Sequence, residues 1–116
     1  MKISILLMSL LFFVVCSTSS AYAHPPREIT VSFDAETSTV HAVIVHRVSN
    51  PASHYIEKVD IGINGEEIAE LTFEEQETSR EQTISYELPH VTSGDTISVE
   101  GYCNLSGKRE EELTVE

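Results

Sequence analysis

Basic residues are scarce in this chain. Seven Lys and Arg stand against 19 Asp and Glu, and every acidic residue lies after position 23. Residues 24–116 therefore hold six basic against 19 acidic residues, a formal charge of −13. Nucleic acids and anionic membrane surfaces are recognised by basic surfaces, so the sequence predicts neither as a partner of this region. A negative charge of this size chiefly favours solubility.

Tryptophan is absent, and cysteine nearly so. The Cys–Trp–Cys pattern of antibody domains is therefore excluded. Of the two cysteines, Cys16 lies near the N-terminus and Cys103 stands alone in residues 24–116, so that region forms no internal disulfide. A lone Cys103 is compatible with an inert core residue, with pairing to a second molecule, or with a thiolate metal ligand.

Long hydrophobic runs are also missing, since the longest, Ile3 to Val15, is too short to span a bilayer. A basic residue precedes it and Ala21-Tyr-Ala23 follows, the order of a secretory signal peptide and its cleavage site. We therefore expect a signal peptide at residues 1–23, a mature domain at residues 24–116, and export to the periplasm or the cell exterior. A short membrane anchor and a lipid on Cys16 are the alternatives.

What the chain does contain is seven short segments in which apolar and polar residues alternate, the period of a half-buried strand. Their apolar residues fall in the ranges 29–33, 40–48, 59–63, 68–73, 84–88, 97–103 and 113–115. Asn64-Gly65 between two of the segments is a strong hairpin signal. The glutamate-rich stretch 66–81 is the only rival for a helix. The sequence predicts an all-β fold, an immunoglobulin-like antiparallel β-sandwich of about seven strands.

Histidines stand at both ends of the loop between the second and third segments. His46 and His54 either point at a common centre as metal ligands or are simply solvated. If each strand reverses direction, alternate connections share one end of the sandwich. That end gathers four candidate ligands, His24, His46, His54 and Cys103. His41 and His90 fall at the other end. Three imidazoles and one thiolate suit iron(II), zinc or copper.

Three short motifs occur in order across most of residues 24–116: His24-Pro-Pro, His54-Tyr-Ile-Glu and Cys103-Asn-Leu-Ser-Gly107. They resemble the N-terminal His-x-Pro segment, the histidine segment and the Cys-Asn-x-His-Gly turn of the desulfoferrodoxin/superoxide reductase iron-binding domain. The resemblance implies an immunoglobulin-like sandwich that binds one iron through four histidines and an axial thiolate. It also implies reduction of superoxide to hydrogen peroxide at the open position. His54 and Cys103 match well. His46 matches with a loop two residues longer than the usual pattern, and His24 matches the N-terminal segment.

The motifs depart from that family at two places. Ser106 stands where the last histidine ligand is expected, and a hydroxyl replaces imidazole poorly on thiolate-bound iron. The Glu-Lys pair before the first histidine, whose lysine is implied to guide superoxide, is missing. Arg47, Lys58 or Lys108 are candidates for a positive rim instead. If cleavage frees the α-amino group of His24, that amine is a candidate replacement donor; the alternative is a frayed terminus.

Three functions remain open on the sequence. The first is an exported mononuclear iron protein that reduces superoxide with altered activity and an unknown electron donor. The second is a metal-binding or metal-delivery module that holds iron, zinc or copper without catalysis. The third is an interaction or carrier sandwich whose histidines are incidental. The acidic loop at residues 74–77 lies at the ligand end and either offers a carboxylate or is solvated.

Overall fold

Two antiparallel sheets packed face to face form the domain. The computed structural model describes residues 24–116, so the expected signal peptide and Cys16 lie outside the described residues. The strands are β1 (Glu28–Asp34), β2 (Thr39–Val45), β3 (Ile56–Ile63), β4 (Glu66–Thr72), β5 (Glu81–Glu87), β6 (Thr96–Cys103) and β7 (Lys108–Thr114). One sheet has the order β1-β2-β5 and the other β4-β3-β6-β7. The prediction of an all-β antiparallel sandwich of about seven strands is confirmed.

The core lies between the sheets and is built from every second residue of the central strands. The inward residues of β2 and β6 are buried: Val40, Ala42, Ile44, Ile97, Val99 and Cys103. Burying one Val or Ile side chain contributes roughly 1.5–3 kcal/mol, so the alternation that predicts strands also drives the sheets together. Gly101 allows a close approach, since a Cβ there would lie 3.3 Å from Ile44 Cγ2.

The β3–β4 hairpin turns at Asn64-Gly65, whose φ angles are both positive at 52° and 84°. This is the backbone that the Asn-Gly signal predicts for a two-residue hairpin. The helical rival is excluded, because residues 66–72 pair with β3. A register shift between Ile61 and Gly62 displaces the strand pattern, and Ile68 is 43% exposed instead of marking the core.

A second register shift, between Ile56 and Lys58, changes which side chains reach the interior beside Cys103. Without it, Glu57 would follow Val59 inward along β3, because side chains alternate between the two faces. The shift turns Ile56 inward instead, opposite Cys103, and Ile56 is fully buried. Bulges of this kind often occur beside functional sites, where they redirect a side chain.

The connections alternate between the two ends of the sandwich. The β1–β2 turn and the β5–β6 connection share one end, since Thr39 pairs with Glu87. The opposite end holds the segment before β1 and the β2–β3 loop, since Glu28 pairs with Val45. The alternation of apolar residues predicted a second strand that reaches Val48, whereas β2 ends at Val45. The residues after Val45 belong to the β2–β3 loop instead. Among residues 24–116 no helix is long and apolar enough to cross a membrane.

Candidate metal centre

Three histidines from separate segments meet at one end of the sandwich. His24 precedes β1, His46 follows β2, and His54 precedes β3. The ring centroids of His24 and His46 are 4.8 Å apart, those of His46 and His54 4.8 Å, and those of His24 and His54 5.2 Å. One nitrogen from each ring lies within 4.8 Å of the other two. The predicted convergence of the three imidazoles is therefore present in the fold.

Cys103 lies beside this group, next to His54, although its sulfur is not within 4.8 Å of all three imidazoles. It is the last residue of β6 and is 5% exposed, and its Sγ lies 3.2 Å from His54 Nε2. A nitrogen about 2.1 Å and a sulfur about 2.3 Å from one ion lie roughly 3.1 Å apart when they meet at a right angle. The spacing of His54 and Cys103 therefore suits two neighbouring ligands of one metal ion.

The two remaining predicted histidines lie elsewhere. His41 faces outward from β2, where a ring nitrogen lies 2.7 Å from Ser85 Oγ. His90 is exposed in the connection between β5 and β6. Both positions agree with the strand order expected from the sequence, which placed these residues away from the candidate ligands.

Gln76, in the loop between β4 and β5, orients His46 from inside the protein. Its side-chain amide donates to the carbonyls of His46 at 2.6 Å and Thr78 at 2.8 Å, which fixes which end of the amide is nitrogen. The opposite end, Oε1, accepts from the Ile56 N–H at 3.3 Å and lies 2.8 Å from His46 Nδ1. Since Oε1 only accepts, Nδ1 carries the proton. In the neutral ring Nε2 then keeps its lone pair, the form that binds metal.

The free nitrogen of His46 points at another acceptor. His46 Nε2 lies 3.2 Å from the carbonyl oxygen of His24. In the neutral ring fixed by Gln76, both atoms carry lone pairs, so their approach is unfavourable unless a proton or a cation lies near them. Burial opposes the proton, because it disfavours the charged ring. The contact is therefore favourable either with a proton on Nε2, which burial opposes, or with a cation beside it.

The loop carrying His54 is tied to the turn carrying Cys103 by one side chain. Asn104 Oδ1 accepts from the Tyr55 N–H at 2.8 Å, and its Nδ2 donates to Ser53 O at 3.1 Å. The two backbones also pair directly, with Asn104 N donating to Tyr55 O at 2.9 Å. Asn104 therefore holds His54 and Cys103 in register, although they are 49 residues apart in sequence.

The segment before β1 is anchored rather than frayed. Pro26 is buried, and its carbonyl accepts from Arg109 Nε at 2.7 Å. Gly107, with φ of 88°, lies so close that a Cβ there would be 2.9 Å from the Pro25 nitrogen. Glycine at this turn therefore allows the segment to pack beside Cys103, which places His24 against the other two histidines.

His46 and His54 both favour the neutral form. Desolvation is the main cause that lowers the pKa of His46 below its usual 6.5. It is opposed by the hydrogen bonds with Gln76 and with the His24 backbone and assisted by the charge of His24. The pKa of His54 is lowered as well, first by desolvation and then by the neighbouring imidazoles. Protons therefore compete weakly for these two nitrogens at neutral pH.

The positive rim expected from the sequence is present only in part. Arg47 lines the cleft that opens over the histidines, together with Leu105 and part of the β2–β3 loop, a space of about 340 Å³. Lys58 and Lys108 lie instead against the ring of Tyr102, with amines 4.2 and 5.5 Å from its centroid. The expectation fails for both lysines, because strand alternation turns them to the outer face of the second sheet.

Two further expectations are modified by the structure. The loop at residues 74–77 contributes an amide, Gln76, rather than a carboxylate. Its Glu77 carboxylate is held by Thr83, which donates through both its N–H and its hydroxyl. Ser106, where the fourth histidine was expected, is exposed on the turn between β6 and β7.

The three histidines could hold one metal ion after a small adjustment, and Cys103, which lies beside His54 but outside the group of mutually close donor atoms, would have to approach the other imidazoles to join them. Two ligands about 2.1 Å from an ion lie at most about 4.2 Å apart, so imidazoles spread over 4.8 Å must close slightly around it. His46 and Cys103 are buried, whereas His24 and His54 are partly exposed toward the cleft. The arrangement therefore offers ligands from the interior and leaves access from one side.

No family model matches the chain, and no curated protein sequence matches it. Among solved structures, two variants of the superoxide reductase (neelaredoxin) from Ignicoccus hospitalis are similar. One has a TM-score of 0.50 at 16% identity and covers 79% of this chain and 82% of its own. The other has a TM-score of 0.48 at 19% identity and covers 81% and 82%. At this identity the first match shows the fold, and the domain has a superoxide reductase-like β-sandwich.

Proposed function

We propose that the domain is a mononuclear iron-binding protein of the superoxide reductase type, with ligands His24, His46, His54 and Cys103. The observation that carries the proposal is the convergence of three imidazoles from separate segments at one end of the sandwich, with the buried Cys103 thiol 3.2 Å from the ring of His54. The orientation of His46 by Gln76 supports it, since solvated loop histidines do not need a buried partner.

Within this proposal the chain's own residues have distinct roles. Gln76 holds the proton of His46 on Nδ1, and Asn104 fixes the separation of His54 and Cys103. Bound iron would supply the electron that reduces superoxide. Arg47 lies in the cleft on the open side and provides a positive charge toward an approaching anion.

Ser106 favours a second candidate, a metal-binding or delivery module without catalysis. The family resemblance expects an imidazole at this position, and a serine hydroxyl is a weak ligand beside a thiolate. Zinc or copper is then accommodated by the same four residues in a lower coordination number. The amine of His24 restores a donor only if the protein is exported and cleaved before His24, which N-terminal sequencing of the mature protein tests.

The experiment that separates these functions uses the purified chain loaded with one equivalent of iron(II). Iron binding with a thiolate charge-transfer absorption, together with superoxide consumption above that of free iron, supports the reductase. Iron or zinc bound without superoxide consumption supports the module. If no metal binds, the histidines are incidental and the interaction or carrier function replaces both. We also propose an exported location and an external electron donor for the reductase.

A further inference from the structure

Three exposed arginines line a second cleft, which shares His24 and Arg47 with the metal-facing cleft. Arg27, Arg47 and Arg109 surround it together with the Pro25-Pro26 segment, and its volume is about 380 Å³. They are half of the six basic residues in a region whose formal charge is −13. Such a concentration of positive charge is not expected from the composition.

Different parts of the fold bring the three side chains together. Arg27 begins the extended chain after Pro26, where its N–H donates to Val45 O at 2.8 Å. Arg47 leaves the end of β2 directly after His46. Arg109 is on edge strand β7, facing the same side as Gly101, and its Nε donates to Pro26 O. Because only Nε is used in this bond, the terminal nitrogens of Arg109 remain free to bind a ligand.

None of the three guanidinium groups is neutralised within residues 24–116. The ion pairs in this part of the chain join Lys58 to Asp60 at 3.5 Å and Lys108 to Glu100 at 3.7 Å. Nineteen carboxylates are present, yet none lies within pairing distance of these arginines. Three like charges around one cleft repel one another, and a bound anion would offset that repulsion.

We propose that this cleft binds a small oxyanion with at least two acidic oxygens, a phosphate or a di- or tricarboxylate. Arginine presents a planar fork of donors that matches both groups, and such charge-assisted hydrogen bonds are roughly twice as strong as neutral ones. The volume lies at the lower end of small-molecule sites, which suits a ligand of this size. A polyanion such as nucleic acid is disfavoured, since the formal charge of −13 on residues 24–116 repels an extended chain of phosphates.

This inference does not depend on the proposed iron function. The cleft needs no metal ion to carry its positive charge, and it adjoins the metal-facing cleft only through His24 and Arg47. Anion binding is therefore measured on protein treated with a chelator, so that failure of the metal site and failure of the anion site are separate results.

The test is isothermal titration of chelator-treated protein with inorganic phosphate and, in a second arm, citrate, at constant ionic strength. We expect saturable binding of at least one, and the tighter ligand identifies the source of the acidic oxygens. Arg27→Gln and Arg47→Gln should each weaken binding about tenfold, the loss of one charge-assisted bond. Arg47→Lys should recover part of the affinity, because it restores the charge but not the fork.

Arg80→Gln is the matched control. Arg80 is exposed and lies outside the cleft, and its substitution by glutamine removes the same charge as the other two substitutions. The affinity of the Arg80→Gln variant for the anion should stay within about twofold of that of the unaltered protein. The proposal is overturned if neither anion binds saturably. It is equally overturned if Arg80→Gln weakens binding as much as Arg27→Gln, because net charge rather than a defined cleft would then explain the effect. Circular dichroism of each variant shows that the fold is retained.

Discussion

Two groups of three potential metal ligands occur in residues 24–116, and they differ in almost every physical respect. His24, His46 and His54 form one group at the end of the sandwich, and Asp60, Glu67 and Glu70 form the other on the outer face of the second sheet. In both, one donor atom per residue lies within 4.8 Å of the others. Separation alone therefore does not distinguish them.

The acidic group belongs to a row of like charges that crosses four strands. Asp60 pairs with Glu70 on one side and Glu100 on the other, and Glu100 pairs with Glu110. Lys58 balances Asp60, and Lys108 balances Glu100. Glu67 and Glu70 are exposed. This surface is a partly neutralised sheet face, in which like charges directly opposite each other reduce stability. Glu67 and Glu70 are solvated, whereas Asp60 Oδ1 is buried and has no hydrogen-bond partner within residues 24–116.

The histidine group has features that the acidic face lacks. His46 is fully buried and Gln76 sets its tautomer, while Asn104 joins the segments of His54 and Cys103. Water satisfies exposed carboxylates at little cost, whereas buried polar groups must be given partners by the fold. A preorganised donor set is thus a better indicator of a metal centre than a count of nearby ligands.

Removing the thiol gives the largest expected difference between the two regions. Cys103→Ser should weaken iron binding by more than about 100-fold, beyond the effect of losing an outer partner, and should abolish any thiolate charge-transfer absorption. Asp60→Asn and His90→Ala should leave the dissociation constant unchanged. Competition with a chromophoric chelator measures all three. Equal losses in Cys103→Ser and Asp60→Asn would contradict the assignment.

Gln76→Leu should weaken metal binding by roughly 10–100-fold, because His46 loses the partner that fixes its tautomer. It should also lower the free energy of unfolding by roughly 1–3 kcal/mol, since buried donors such as the Ile56 N–H lose their acceptor. Gln82→Leu is the matched control: Gln82 is buried too, but it bonds Glu77 and Thr83 instead of a histidine. Urea unfolding should show a loss in both variants, and metal titration only in Gln76→Leu.

Ser106→His adds the histidine ligand that the family resemblance expects at this position. If the turn after Cys103 has the geometry that the family resemblance implies, the new imidazole should tighten iron binding by about tenfold, or roughly 1.4 kcal/mol. Ser106→Asn, polar but a poorer ligand for iron, is the control. Iron binding that is equal in the two variants would show that this turn does not face the metal.

The metal-free protein should lose stability as pH falls below about 6.5. The pKa values of His46 and His54 are lowered in the folded state, so the unfolded chain takes up protons first and is favoured by acid. The stability that the two neutral histidines contribute is fully present above the usual histidine pKa. It is lost as the pH falls through the lowered pKa values of the folded protein. Urea unfolding of the chelated protein between pH 5 and 8 measures it. A stability independent of pH in this window would contradict the lowered pKa values of the two histidines.

The smallest effect is expected on the acidic face. Glu110 shares a hydrogen bond with Glu100, which raises the pKa of the Glu110 carboxyl group. The negative charge of Glu110 therefore opposes folding at a pH above this raised pKa. Glu110→Gln should therefore stabilise the protein slightly at neutral pH, by at most about 0.5 kcal/mol because the side chain is exposed. The gain should shrink in high salt and at acid pH. Metal affinity should not change, whereas a change there would make the acidic face part of the site.

The sequence predicts the strands well because alternation of apolar residues reports directly which side chains are buried. It also places His24, His46 and His54 at one end, since that follows from strand reversal alone. The alternation of apolar residues does not show where a β-bulge interrupts a strand. For this reason the sequence wrongly predicted that Ile68 faces the core. Gln76 was missed for a different reason: its role depends on contacts with a residue 30 positions away, and nothing in the local sequence distinguishes it from its acidic neighbours.

The central claim is that the histidine end of the sandwich, with Cys103, binds one metal ion. Elemental analysis of the protein purified without added metal, beside Cys103→Ser purified in the same way, tests it most directly. We expect close to one ion per chain, mainly iron, in the unaltered protein and little or none in the variant. Equal metal content in the two proteins, or a metal-free unaltered protein that takes up no iron on reconstitution, would contradict the account.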